Sequence, residues 1–208
     1  MATIDDLMRY QYAPLAAAAV EQENFVAAGI SLEKLAGDMN CAKDIRPYID
    51  GALASKEGIK LASNGFLSRY DKAYKTATIG DLWTIYQNAD LTDGEKSLYG
   101  SRINPLKDKK LEDVKKMIKE KEKRLKSVLD GNETMPEGEM LLLSNELRNY
   151  KEALSVISGL EQYNIVSLNE PVQKEAIKRQ KKYIKDSIRD NVLQFNTITT
   201  PEQYRMAA

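Results

Sequence analysis

Histidine is absent from this sequence, and cysteine occurs only once. The chain therefore lacks the commonest general base and the commonest metal ligand, which excludes a Ser-His or Cys-His nucleophile and a zinc site built on histidine. The single cysteine, Cys41, permits no intramolecular disulfide, and we expect it to be a small packing residue. No Gly-Lys-Ser/Thr phosphate loop occurs either. We predict a protein that is not an enzyme, with no catalytic residue, cofactor, metal or small-molecule substrate.

Long hydrophobic runs and an excess of either charge are missing as well. The longest apolar run near the N-terminus, residues 13–20, contains Pro14 and is too short to cross a bilayer. That region also lacks the basic start and apolar core of a Sec signal peptide. Lysine plus arginine balance aspartate plus glutamate at 31 each, so the total charge does not call for nucleic acid as a partner.

Charge is nevertheless unevenly distributed along the chain. Residues 1–40 hold two Lys or Arg against six Asp or Glu, a net charge of −4, whereas residues 107–126 hold ten against five, a net charge of +5. This asymmetry suits head-to-tail contacts between copies of the chain, or docking to a partner protein. The alternative is a solvated helical face.

Apolar residues at helical spacing dominate residues 109–163. Steps of three and four place them on one stripe of each of two helices, with the mean period of a coiled-coil seam. The first stripe comprises Leu111, Val114, Ile118, Leu125, Val128 and Leu129, and the second comprises Met140, Leu143, Leu147, Tyr150, Leu154 and Ile157. We predict antiparallel helices at 107–129 and 137–163, joined by a turn in which Gly131 takes the left-handed conformation.

The chain divides around this hairpin into three parts. We predict an N-terminal helical region at 1–106, the coiled-coil hairpin at 107–163, and a C-terminal amphipathic helix with a polar tail at 164–208. Residues 165–168 are the one predicted strand, and Asn169 with Pro171 begins the last helix. Gly58 and Gly65 are expected to interrupt the N-terminal helical pattern. The predicted fold class is all-α, a helical bundle organised around a long antiparallel two-helix coiled-coil hairpin.

Three apolar residues of the second arm are predicted to contact another helix. Leu141, Leu142 and Val156 sit just off the seam and widen its apolar stripe. Two helices cannot bury a stripe wider than their contact line, so a further helix must cover these side chains. That helix is either the last helix of the same chain or part of a second copy, and we favour the second copy.

The last helix has a basic face that is the second predicted interaction surface. It includes Lys178, Lys181, Lys182 and Lys185. We expect no membrane contact because the apolar side of this helix is thin, and no nucleic-acid contact because Tyr183 is the single aromatic residue on the face. The alternative to a protein partner here is again a solvated face.

Four segments follow one another in an order that is found in a known family. They are Leu82-Trp83-Thr84-Ile85-Tyr86-Gln87-Asn88, Ile103-Asn104, Leu111-Glu112-Asp113-Val114-Lys115-Lys116-Met117-Ile118, and Leu143-Ser144-Asn145-Glu146-Leu147-Arg148-Asn149-Tyr150 continuing to Leu160. The arrangement, over about residues 80–163, resembles the hydrophilic translocators of type III secretion systems. In that family a short helical segment precedes a long two-helix coiled coil, and the second arm ends in a Leu/Ser-rich turn. The resemblance implies a secreted protein that polymerises or caps a needle through its coiled coil.

Together these patterns favour a non-enzymatic structural or assembly protein with protein partners and a homo-oligomeric state. Our first hypothesis is a type III needle-tip or filament component, secreted without a cleavable signal. The alternative is a virion structural or internal protein that forms ring-like assemblies, and a cytoplasmic location also stays open. An enzyme whose site uses only carboxylate, lysine and tyrosine ranks last, because the sequence contains no such cluster.

Overall fold

The structure, a computed structural model, describes residues 4–37, 43, 45–87 and 91–198, and of 191–198 it describes only the backbone. Throughout these residues the fold is all-helical, apart from one isolated β-bridge between Thr78 and Lys110. The all-α prediction is therefore confirmed. Cys41 and residues 199–208 of the predicted tail lie outside the described residues.

The described helices follow one another with short connections. They are α1 (Ile4–Arg9), α2 (Ala13–Glu21), α3 (Phe25–Gly37), α4 (Ile45–Ala52), α5 (Lys56–Thr76), α6 (Ile79–Tyr86), α7 (Asp93–Ile103), a 3-10 turn (Asn104–Leu106), α8 (Leu111–Leu129) and α9 (Glu137–Ile198). Local sequence explains several of the ends. Helix α7 begins with a capping box, in which the Glu95 N–H donates to the Thr92 hydroxyl and the Thr92 N–H donates to the Glu95 carboxylate.

Two hydrophobic cores lie along α9. The first, which we call the N-terminal core, joins α2, α3, α4 and the first half of α5 through side chains such as Leu32, Ile49 and Phe66. Short alanine side chains on α2 let its backbone approach α3 and α5 closely. Val172 and Ala176 of α9 complete this core, and both are almost fully buried.

The second core, which we call the hairpin core, lies where α6, α7 and α8 meet the first half of α9. It contains Leu82 of α6, Ile103 of α7, and Val114 of α8, none of which has an exposed side chain. From α9 it includes Leu147, Ala153, Ile157 and Leu160. The steps of four and three from Ala153 to Ile157 and Leu160 keep these three side chains together on one side of α9, and the step of six from Leu147 turns by about 120° and widens that side.

Helix α9 corrects the prediction for residues 164–171. The predicted strand at 165–168 and the separate last helix are wrong, because one helix runs from Glu137 to Ile198 with Pro171 inside it. An internal proline costs a helix about 3 kcal/mol or more. Burial of Val172 and Ala176 on one side of the proline and of Leu160 on the other offsets this cost, since burying one large aliphatic side chain contributes about 1.5–3 kcal/mol.

The segment that precedes α9 agrees more closely with the sequence prediction. Helix α8 ends at Leu129 and α9 begins at Glu137, as the spacing predicts, and Gly131 between them has a φ of 75°. The start of α8 differs, because it lies at Leu111 rather than at 107. Pro105 places a 3-10 turn ahead of it, and proline there favours a tight turn over continued α-helix.

Helix α5 corrects the prediction for its two glycines. It runs without interruption through Gly58 and Gly65. Gly58 is a point of close approach, since a Cβ atom there would lie 2.4 Å from the backbone oxygen of Ala52, at the end of α4. Gly65, by contrast, is exposed, and a Cβ atom on it would meet nothing within 4 Å. Glycine is thus required by packing at the first position only.

Replacing each glycine by alanine should change stability in opposite directions. Gly58→Ala forces α4 and α5 apart and should lower the free energy of unfolding by about 1–3 kcal/mol. Gly65→Ala, the matched control, restricts the unfolded chain without a clash in the folded one. This substitution should raise the free energy of unfolding by about 0.5–1 kcal/mol. Denaturant unfolding of both variants measures the difference, and equal stabilities would contradict the close approach at Gly58.

Candidate functional site

The two leucines predicted to need a covering helix are exposed at the start of α9. Leu141 retains 62% and Leu142 retains 65% of its accessible surface, whereas the next residue, Leu143, is buried toward α8. Successive helical residues turn by 100°, so the burial of Leu143 leaves its two neighbours directed elsewhere. Leu129, at the end of α8, is exposed to 70% and adds a third exposed apolar side chain near the connection between α8 and α9.

The continuity of α9 rules out one of the two predicted covers for these leucines. A last helix that packs back on Leu141 and Leu142 would have to turn after Tyr163, but α9 continues in one piece to Ile198. That intramolecular alternative is wrong for the described part of the chain. The alternative in which a second copy covers the leucines stays a prediction.

Val156, the third predicted contact residue, lies in a groove between α7 and α9. The groove has a volume of about 520 Å³ and is lined by Leu91, Glu95, Tyr99, Arg102, Ser155, Val156, Gly159, Leu160 and Tyr163. The Arg102 guanidinium lies 3.6 Å from the Glu152 carboxylate, which joins α7 to α9 beside the groove. Val156 is half-buried at its base, and Tyr163 is 49% exposed at one end. We call this feature the α7–α9 groove.

The four predicted lysines, Lys178, Lys181, Lys182 and Lys185, are all exposed on one face near the end of α9. Arg179 belongs to the same basic face, and sequence reasoning did not find its tertiary contact. Arg179 donates two hydrogen bonds to the Glu33 carboxylate of α3, of 3.2 and 2.9 Å. These bonds raise the pKa of the Arg179 guanidinium above its ordinary value. The lysines therefore extend from a point at which α9 is tied to the N-terminal core.

One buried tyrosine, two half-buried tyrosines and one glutamate gather where α5, α6 and α9 meet. The Tyr74 hydroxyl donates a 3.0 Å hydrogen bond to the Glu161 carboxylate, and the ring of Tyr74 stacks on that of Tyr70 at 6.0 Å between centroids. Tyr86 completes the group from α6 and retains only 4% of its accessible surface. We call these four residues the tyrosine cluster. It lies between the N-terminal core and the hairpin core, because Tyr70 packs against both.

The environment keeps the three hydroxyls of the tyrosine cluster neutral. Burial, which disfavours the charged form, is the largest cause, and the negative charge of Glu161 adds to it. Together they raise the pKa of Tyr70 from 10.0 to about 12, and they raise the pKa values of Tyr74 and Tyr86 further. The cluster is thus a set of protonated, mutually packed hydroxyls rather than a set of ionised groups.

Sequence reasoning placed these tyrosines in helices but did not find Glu161. One signal was available, because Glu161 lies four residues after Ile157 and so continues the apolar seam of the second arm. A carboxylate at a seam position must find a donor on a facing helix. That the donor is Tyr74, 87 residues away in the sequence, is a matter of tertiary structure.

Comparison with known proteins does not assign a family to this chain. No protein-family model, no characterised protein and no solved structure matches it. Among the described residues, no cluster of three or more Cys, Asp or Glu is placed to hold a metal ion. No helix in that part of the chain is sufficiently long and apolar to cross a membrane. Function must therefore be inferred from the contacts, burial and charge of the described residues.

The raised pKa values predict a loss of stability at alkaline pH. The folded protein holds protons that the unfolded chain releases near pH 10, so the stability from Tyr70 is complete below pH 10 and is lost as the pH rises toward about 12. Tyr70→Phe removes this titration and should flatten the fall of the unfolding free energy in that range. Tyr183→Phe is the control, at a tyrosine that is 74% exposed. The unfolding free energy of this variant should fall with rising pH as steeply as that of the wild type. If the unfolding free energies of the two variants fell in parallel as the pH rises, this result would contradict the raised pKa of Tyr70.

Proposed function

We propose that this chain is a non-enzymatic assembly protein that associates with itself through helical packing. One observation carries the proposal. Helix α9 is 62 residues long, and its large apolar side chains are exposed from its first turns to near its end. They are Leu141, Leu142, Tyr163, Ile165, Val166, Ile177, Tyr183, Ile184 and Ile188.

The number and exposure of these side chains support an interaction role for α9. Single apolar side chains on a surface are ordinary and need no explanation. An accumulation of such side chains on one element favours a contact site. Here five aliphatic residues of one helix each retain more than half of their accessible surface: Leu141, Leu142, Val166, Ile184 and Ile188. Their burial in an assembly would supply a driving force of about 25 cal/mol per Å² of apolar surface removed from water.

The hairpin of α8 and the start of α9 is, in this proposal, the element around which the bundle is organised. Lys121 of α8 contacts Glu146 of α9 at 2.5 Å, and Glu122 of α8 contacts Lys151 of α9 at 2.7 Å. Both are exposed ion pairs, worth at most about 1 kcal/mol each, so they support a register rather than supply the stability. The stability comes from the apolar seam in the hairpin core.

A non-enzymatic role is supported by the protonation state of the tyrosine cluster. Catalytic acids and bases have pKa values that are shifted toward the working pH. In the tyrosine cluster the shift has the opposite sense, because the pKa values of Tyr70, Tyr74 and Tyr86 rise away from neutrality. Hydroxyls that stay protonated and donate to neighbouring groups suit a structural junction between two cores.

Two more specific identities remain proposals within this function. The order of elements over about residues 80–163 favours a secreted needle-tip or filament component of a type III system. A virion protein is the second candidate. Electron microscopy of the purified assembly separates the two, since a filament or needle cap and a closed ring differ in symmetry.

The antiparallel hairpin predicts which residues are close in solution. Spin labels or fluorophores placed at Lys110 and Ser158 should report a short distance, because the ion pairs at 121–146 and 122–151 set a register in which these two sites lie side by side. A control pair at Lys110 and Lys185 should be longer by about 40 Å, given 27 further residues at 1.5 Å each. Equal distances for the two pairs would contradict the hairpin.

Self-association should depend on the leucines at the start of α9. Leu142→Asp buries an unpaired charge in the proposed contact, which costs several kcal/mol, so the oligomer should dissociate while the helical circular dichroism stays unchanged. Ser144→Asp, an exposed control in the same turn, should leave the oligomer intact. Sedimentation or light scattering measures the mass. A wild-type protein that is monomeric at high concentration and low salt would overturn the proposed function.

A further inference from the structure

Surfaces of opposite charge lie at the start of α9 and near its end. The first, which we call the hairpin tip, comprises residues 126–146, from the last turn of α8 through the connection to the first turns of α9. It holds one Lys against five Asp or Glu, a net charge of −4. The second, which we call the basic arm, comprises residues 177–190 and holds six Lys or Arg against two Asp, a net charge of +4. The two surfaces therefore attract each other when they belong to different copies that approach.

The hairpin tip combines exposed leucines with free carboxylates. Three leucines each retain more than 60% of their accessible surface: Leu129, Leu141 and Leu142. Two of the carboxylates, those of Glu133 and Glu146, pair with Arg124 and Lys121 of α8. The other three are exposed and form no ion pair with any residue that the structure describes: Asp130, Glu137 and Glu139. The tip thus offers an apolar surface beside uncompensated negative charge.

The basic arm combines an apolar stripe with a cationic flank. At about 100° per residue, Ile184 and Ile188 each lie about 20° from Ile177, on either side of it, so the three share one side of α9. Each of them is exposed by half or more. Lys181 and Lys185 lie about 40° and 80° from Ile177, both in the same direction. Within the described part of the chain three lysines of the arm form no ion pair: Lys181, Lys182 and Lys185.

The hairpin tip and the basic arm cannot meet within one chain. Helix α9 is continuous, and it separates Leu142 from Ile184 by about 63 Å at 1.5 Å per residue. Among the described residues, the last hydrogen bonds from α9 to another helix are those of Arg179 to Glu33. No side chain from Ile177 to Asp190 is buried. A contact between the two surfaces therefore requires a second copy of the chain.

From these observations we infer that the basic arm of one copy packs on the hairpin tip of the next, with the isoleucines of the arm against the leucines of the tip and the free lysines toward the free carboxylates. The inference rests on the proposed function, and it adds the two contact surfaces and their head-to-tail order. Because tip and arm are different surfaces, each copy engages two neighbours. Repetition of this one contact builds a ring where the rotation closes and a filament where it does not.

The position of α7 favours the head-to-tail order over a closed pair. Two copies could make both contacts at once only if their α9 helices lay side by side between the two surfaces. Gly159 lies about five full turns before Ile177 and therefore on the same side of α9. At Gly159 this side faces the α7–α9 groove, where α7 flanks α9. Helix α7 thus occupies the space that a second α9 would need.

Mixing two defective variants tests the head-to-tail contact. Leu142→Asp disrupts the tip and retains the arm, whereas Ile184→Asp disrupts the arm and retains the tip. Each variant alone should have the mass of the single chain, 23.5 kDa. An equal mixture should form a dimer and nothing larger, because one intact arm meets one intact tip, while the wild type exceeds the dimer mass. A mixture that stays monomeric, or a wild-type protein that stops at the dimer, would overturn the inference.

A matched control separates failure of the inference from failure of the proposed function. Tyr183→Asp places the same charge at the exposed residue beside Ile184, but about 120° around the helix from Ile177. It should leave the mass of the assembly unchanged, and dissociation of this variant would overturn the assignment of the contact to the isoleucine side. An oligomer that Leu142→Asp disrupts and Ile184→Asp does not would overturn the inference and retain the proposed function. A wild-type monomer under all conditions would overturn both.

Discussion

The rest of this structure depends on one helix that is shared by two hydrophobic cores. The face of α9 that carries Leu147, Ile157 and Leu160 belongs to the hairpin core, and further along Val172 and Ala176 belong to the N-terminal core. Helix α5 also crosses from one core to the other, and the hydrogen bond from Tyr74 to Glu161 joins the two helices at the junction. Neither core can move independently of the other without bending α9 or breaking this junction.

Sharing one helix between two cores has a consequence for the opposite face. Because α9 packs on the hairpin core at Leu147 and on the N-terminal core at Val172, the stretch between them is braced against the rest of the chain at both ends. From Leu142 to Ile184, α9 spans about 63 Å at 1.5 Å per residue. Side chains that are fixed on a long rigid element lose little further entropy when a partner binds. A long helix that is braced along one side is therefore a good platform for assembly.

Local rules of sequence account for a well-defined part of this protein. The ends of α8 and α9 at Leu129 and Glu137, the left-handed Gly131 and the capping box of Thr92 with Glu95 were all predictable. Each depends on atoms within about one helical turn, so the nearby sequence contains all the information needed. The exposure of Leu141 and Leu142 follows in the same way from the burial of Leu143.

By itself, then, the sequence determined the all-α class, the turn between α8 and α9, and the amphipathic character of α8, because periodicity and capping are local properties. Only the tertiary structure decided that α9 passes through residues 164–171. The local preferences of residues 165–168 and Pro171 oppose a helix there, and the burial of Val172 and Ala176 in the N-terminal core overrides them. The same holds for Glu161, whose donor is supplied by a helix 87 residues earlier in the chain. Burial against distant elements is a sum over contacts that no short window of sequence contains.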